Sequence, residues 1–115
     1  MRREIVFALQ AAEDEKRLRA NERATVRDKI KRHLRYDATK TSRSRIKRLR
    51  RLKQPQYRLR VDDIRVFYDV TDEAVKILAI VPKAEAIAWL ERCGKPVPEN
   101  ELAEQSRPDK EGEKL

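Results

Sequence analysis

The chain has 115 residues, a length suited to one domain, and a formal net charge of +9 from 29 Lys and Arg against 20 Asp and Glu. So basic a balance calls for an anionic partner, while one Cys (Cys93) and one His (His33) exclude an internal disulfide, a Cys–Cys redox pair and a dedicated Cys/His metal centre. No apolar run approaches a membrane span, and the short stretch at the N-terminus is not a secretion signal, so a cytoplasmic protein without a cofactor is expected.

In chain order, Glu4 to Leu9 is rich in Ile, Val and Phe and predicts a first strand. Gln10 to Ala20 reads as a charged helix. Asn21 is placed to cap a second helix, in which Val26, Ile30 and Leu34 form a narrow apolar stripe. Tyr36 to Ser42 reads as a loop. From Thr41 to Arg60 the chain holds nine basic residues and no acidic one. Within that run Arg48, Arg50, Arg51 and Lys53 are candidates for contacts to a phosphate backbone.

A three-stranded meander follows. Tyr57, Leu59 and Val61 alternate with Arg58 and Arg60. Asp62-Asp63 supplies turn chemistry, and Ile64, Val66, Tyr68 and Val70 alternate with Arg65, Phe67 and Asp69. After Thr71-Asp72-Glu73 comes a third strand to Val81, ended by Pro82. Lys83 to Cys93 predicts a last helix, with Gly94 and Pro96 beyond it as stop signals. The fold class expected is α+β: two N-terminal helices on a small twisted antiparallel sheet, in the order β-α-α-β-β-β-α. Residues 1–94 form the domain and 95–115 a flexible charged tail, with a weak helical piece near Leu102.

A two-residue turn pairs Val61 with Ile64, Arg60 with Arg65, Leu59 with Val66 and Arg58 with Phe67. Arg58, Arg60 and Arg65 then share one face, together with Phe67, Leu78 and Ile80. Ile64, Val66, Tyr68, Val70, Ile77 and Ala79 share the other, which the two N-terminal helices cover. Like charges opposite one another on a ladder cost about 0.2–1 kcal/mol. Their retention points to a bound anion, and the guanidinium fork suits phosphate. The competing reading pairs these arginines with Asp62, Asp63 and Asp69. His33 reads as a boundary residue. Trp89 reads as core, or as a platform for a nucleobase if it lies exposed.

The segment Tyr57-Arg58-Leu59-Arg60-Val61-Asp62-Asp63-Ile64-Arg65-Val66-Phe67-Tyr68 resembles the central signature of RelE/ParE-superfamily toxins, of which YRLRVGDYRVFY is a recurring form. The likeness extends over residues 4–93, through Leu49-x-x-Leu52 and Ile77 to Lys83. It implies a toxin held by a cognate acidic antitoxin in a type II toxin–antitoxin system. RelE-like members are mRNA endoribonucleases that inhibit translation on the ribosome, and ParE-like members poison DNA gyrase. A non-toxic co-repressor that binds nucleic acid or antitoxin is the third reading. The nuclease reading makes Arg58, Arg60, Arg65 and Lys83 the catalytic set, with Arg48, Arg50, Arg51, Lys53 and Trp89 contacting RNA. The chain departs from the best-studied RelE-like pattern at several points. Arginines replace lysines on the first hairpin strand. Ala84 stands where that pattern has an arginine, and Trp89 or Leu90 where it has a tyrosine. The phosphate-holding half of the site is thereby matched, and the proton-transfer half is unassigned.

Overall fold

The computed structural model describes residues 2–98. Strand β1 (Glu4–Phe7) leads into helices α1 (Leu9–Lys16) and α2 (Ala20–Asp37). Strands β2 (Ile46–Arg48), β3 (Leu52–Gln54), β4 (Tyr57–Val61), β5 (Ile64–Val70) and β6 (Ala74–Pro82) follow, then α3 (Lys83–Cys93) and a short β7 (Lys95–Pro96). Five strands form one sheet in the order β1-β6-β5-β4-β2, and β3 pairs with β7 in a second, small one.

The α+β class and the packing of α1 and α2 on the sheet match expectation. The wholly antiparallel sheet does not, because β1 lies parallel to β6, Glu4 opposite Ala74 and Phe7 opposite Ile77. This pairing joins segments some seventy residues apart, and no local pattern encodes it. Strands β2, β3 and β7 were not expected either; at two or three residues they are too short to show a period. Beyond Gly94, Lys95–Pro96 pair with β3 and Val97 is buried, its N–H bonded to the Arg51 carbonyl. Packed chain thus runs past the expected domain end. The rest of the expected tail, including the helical piece near Leu102, lies outside the described residues.

The helical hairpin is shifted from its expected limits. Its first helix stops at Lys16, because Arg23 of the second donates to the Glu15 and Leu18 carbonyls at its end. The second starts at Ala20, before Asn21, with Glu22 accepting the Arg19 N–H at 3.1 Å. It runs on to Asp37, through the start of the expected loop. Val26, Ile30 and Leu34 are fully buried, so the stripe reads as predicted. Each contributes roughly 1.5–3 kcal/mol of hydrophobic stabilisation. Arg27 pairs with Glu15 across the hairpin, its Nη2 2.8 Å from Oε1, and lies over the Phe7 ring.

The β4–β5 register is the expected one, Arg60 opposite Arg65 and Arg58 opposite Phe67. Asp62 takes φ of +51° at the turn, alone among the described non-glycine residues, where the recurring form of the signature has glycine. Left-handed backbone is better tolerated by Asp than by most side chains. Toward β6 one expectation fails. Phe67 faces Ala79 but Tyr68 faces Ile77, so Leu78 is a bulge. The extra residue reverses the alternation. Ile80 joins Ile77, Val66 and Tyr68 in the main core, and Ala79 joins Phe67 and Val81 on the opposite face. The expected sides of Ala79 and Ile80 are therefore exchanged. There α3 covers the apolar part, with Trp89 stacked on Phe67 at 5.0 Å between ring centroids.

Since β1 ends opposite Ile77, α1 meets the edge of β6 beyond it. Buried Asp14 accepts the Ile80 N–H through Oδ2 at 3.0 Å and the Gln10 amide through Oδ1 at 2.8 Å. One carboxylate substitutes for a missing strand at the edge. Replacing it leaves a buried amide unmet. Asp14→Ala should lower unfolding free energy by about 1–3 kcal/mol in urea titrations, and Asp14→Asn, which keeps an acceptor oxygen, by less.

Candidate phosphate-binding face

Tight pairing of β4 with β5 brings Arg58, Arg60 and Arg65 to the face away from α1 and α2. Arg65 is 8% exposed, and its Nη1 donates to the Asp62 carbonyl at 2.8 Å and the Ile64 carbonyl at 3.1 Å. These bonds hold the guanidinium against the turn without cancelling its charge. Arg60 is exposed. Arg58 is half-buried, reaches the Ser44 carbonyl at 3.5 Å, and has a buried Nε with no partner. Burial, and then the charges of Arg65 and Arg60, pull the Arg58 pKa below its ordinary value. All three cations thus lie close enough to repel one another.

The competing reading assigned them internal carboxylates. Among the described residues, ion pairs join Arg17 to Asp14, Arg27 to Glu15, Arg32 to Asp28 and Lys16 to Glu13, and none reaches these arginines. Asp69 is committed elsewhere: its Oδ1 accepts the Gln56 N–H and its Oδ2 the Gln54 amide. Asp62 meets Arg65 through its backbone carbonyl.

Lys83, the first residue of α3, is exposed, and its N–H donates to the Asp63 carbonyl at 2.7 Å. Consecutive carbonyls of one turn therefore hold the Arg65 guanidinium and the start of α3. Trp89 is partly buried and stacks on Phe67, so one of its faces serves the fold. Arg48 lies opposite Tyr57, its guanidinium 5.1 Å from that ring's centroid and bonded to the Gln56 carbonyl. The register turns it to the face opposite the three arginines. Arg50 and Arg51 are exposed in the turn after β2, and Lys53 is exposed on β3. Sequence reading passed over Lys47, which pairs with Arg58 and shares its face. A strand of three residues carries no readable alternation, so only the pairing reveals it.

His33, partly buried within α2, has its pKa lowered, first by burial, then by the charges of Arg45, Lys29 and Arg32. The structure supplies no carboxylate or imidazole among the residues assigned to the arginine face. No group of His, Cys, Asp and Glu among the described residues is arranged to hold a metal. No described helix is long and apolar enough to cross a membrane.

No family model matches the chain, and no curated protein matches it by sequence. Solved structures do. A chain of the RelBE2 toxin–antitoxin complex from Mycobacterium tuberculosis superposes with a TM-score of 0.57 at 20% identity, covering 71% of this chain and 99% of that one. A chain of the RelB–RelE antitoxin–toxin complex from Methanococcus jannaschii gives 0.53 at 16% identity, covering 73% and 96%. The fold is that of chains found in RelE–RelB complexes.

Two outcomes follow from these charges. Arg58→Met should raise stability by about 1 kcal/mol at low salt, since it removes a half-buried, repelled charge. The same variant should gain less than the wild type when sulfate replaces chloride at equal ionic strength, as read from thermal melts. His33, followed by NMR, should titrate below 6.5, and Arg45→Ala should move it upward. With a folded-state pKa below the unfolded one, the neutral imidazole favours the fold, so stability falls as pH is lowered through that interval.

Proposed function

We propose that this protein is the toxin of a type II toxin–antitoxin system and that it cleaves mRNA on the ribosome. The observation that carries the reading is the unneutralised group of Arg58, Arg60 and Arg65, which has a desolvated donor on Arg58 and no internal carboxylate among the described residues. Three like charges kept together against their own repulsion make a receptor for a dianionic centre, and strongest for one whose charge is growing. The RelE–RelB fold supports an antitoxin as partner, and an acidic one suits the chain's charge.

In the proposed reaction the ribose 2′-oxygen attacks the adjacent phosphorus. The 2′-O–P bond forms, the P–O5′ bond breaks, and the 2′-hydroxyl proton leaves as the 5′-oxygen gains one. The products are a 2′,3′-cyclic phosphate and a 5′-hydroxyl end. Arg58, Arg60 and Arg65 hold the equatorial oxygens as charge develops. Lys83 and Lys47 extend the cationic surface, and Arg48, Arg50, Arg51 and Lys53 contact RNA away from the cleavage point. Arginine does not act as a general base at neutral pH. Rate enhancement therefore comes from positioning and charge stabilisation, with protons passed to groups outside the arginine trio.

The missing proton-transfer set is also what favours the second reading, a gyrase inhibitor that binds without chemistry. Expression of the chain without its antitoxin, followed by mapping of RNA 5′ ends, separates the two. New 5′-hydroxyl ends within translated messages are expected. Arg60→Gln, at an exposed position, should cut their yield by about a hundredfold or more with the protein still folded. Growth arrest with intact messages and inhibited supercoiling would reject the nuclease in favour of gyrase.

A further inference from the structure

We infer that the acidic segment following Pro98 binds the arginine face of its own chain and competes there with RNA. The inference rests on the phosphate-holding role proposed for that face, and it adds an internal competitor.

Three observations carry it. First, the face has a surplus of positive charge and a buried Arg58 Nε that nothing among the described residues meets. Second, the charges of the chain are segregated. Residues 99–115 hold six acidic residues, Glu99, Glu101, Glu104, Asp109, Glu111 and Glu113, against three basic ones. The positive excess belongs to the part before them, and three of the acids fall within the first six residues of the segment. Third, the chain leaves the fold on the appropriate side. Phe67 lies opposite Arg58, and the cluster that covers Phe67 includes Leu49, Trp89 and Leu90. Helix α3 therefore sits on the arginine side of the sheet, and β7 follows directly from it to pair with β3. Val97 is anchored there by its bond to the Arg51 carbonyl. Six extended residues span about 20 Å, so Glu99, Glu101 and Glu104 have reach across a small domain from that anchor.

Carboxylates tethered at this distance meet the cations at high local concentration, at an entropic cost limited by the shortness of the link. A carboxylate accepts the same paired donors from a guanidinium as a phosphate does, with less charge. A multiply charged RNA displaces it, and added salt weakens both contacts.

The test uses the full chain with Glu99→Gln, Glu101→Gln and Glu104→Gln together, changes that leave residues 2–98 untouched. A fluorescent decauridylate is titrated at low and high salt. The substituted chain should bind roughly three- to tenfold more tightly at about 50 mM salt, and the difference should vanish near 0.5 M. Without RNA, the Arg58 Nε–H resonance should differ between the two chains, independently of protein concentration. On an Arg58→Gln, Arg60→Gln background the three substitutions should bring no gain. Equal affinities with an unmoved resonance overturn the inference, as does an equal gain on the Arg58→Gln, Arg60→Gln background. A resonance shift that grows with protein concentration overturns the contact within one chain in favour of a second copy. Neither readout involves RNA cleavage, so loss of the nuclease assignment would leave this result standing, and the reverse.

Discussion

The two-residue link between Val61 and Ile64 governs the rest of the molecule, because its register decides which side chains of β4 and β5 face the helices. Leu59, Val61, Val66 and Tyr68 turn to α1 and α2 and build the main core. Arg58, Arg60 and Arg65 must then share the other face, whatever their mutual repulsion. A slip of one residue would bury arginines under the helices and leave the core side chains in water. The hydrophobic gain of the core, summed over several fully buried residues, far exceeds the repulsion on the far side. The cationic face is therefore held in place by packing on the opposite side of the sheet.

Several secondary bonds keep this arrangement rigid. Tyr68 donates its hydroxyl to the Ala38 carbonyl at 2.7 Å and stacks on Tyr57, tying the middle of the sheet to the end of α2. Burial pushes the Tyr68 pKa well above its ordinary value, so the hydroxyl remains a donor at any physiological pH. At the far end of the hairpin, Gln56 accepts the Val70 N–H while Asp69 accepts the Gln56 N–H. At the turn, Arg65 and Lys83 use the two Asp carbonyls. Thus the apolar core, the turn and the start of α3 all meet within a few residues of the proposed phosphate position.

The Leu78 bulge has a functional consequence as well. It moves Ala79 and Val81 to the arginine side, where they and Phe67 form the floor on which Trp89 and Leu90 rest. That face is consequently divided: an apolar half roofed by α3 and a cationic half that no described element covers. Without the bulge, the unbroken alternation would put Leu78 and Ile80 beneath α3 in place of Ala79 and Val81.

What sequence alone determined was the part governed by short-range rules. The alternation of Tyr57 to Tyr68, the turn at Asp62-Asp63, the stripe of α2 and the limits of α3 are all local patterns, and each was legible, as was the gathering of three arginines. The parallel β1–β6 contact, the bulge, the side of Lys47 and the docking of Val97 were not. Each depends on which distant segment happens to lie alongside, and a strand of two or three residues has no period to betray it. Tertiary structure also decided that, among the described residues, no carboxylate pairs with the three arginines, because Asp69 is held by Gln54 and Gln56 and Asp62 meets Arg65 only through its backbone, and such engagements are a property of the assembled fold.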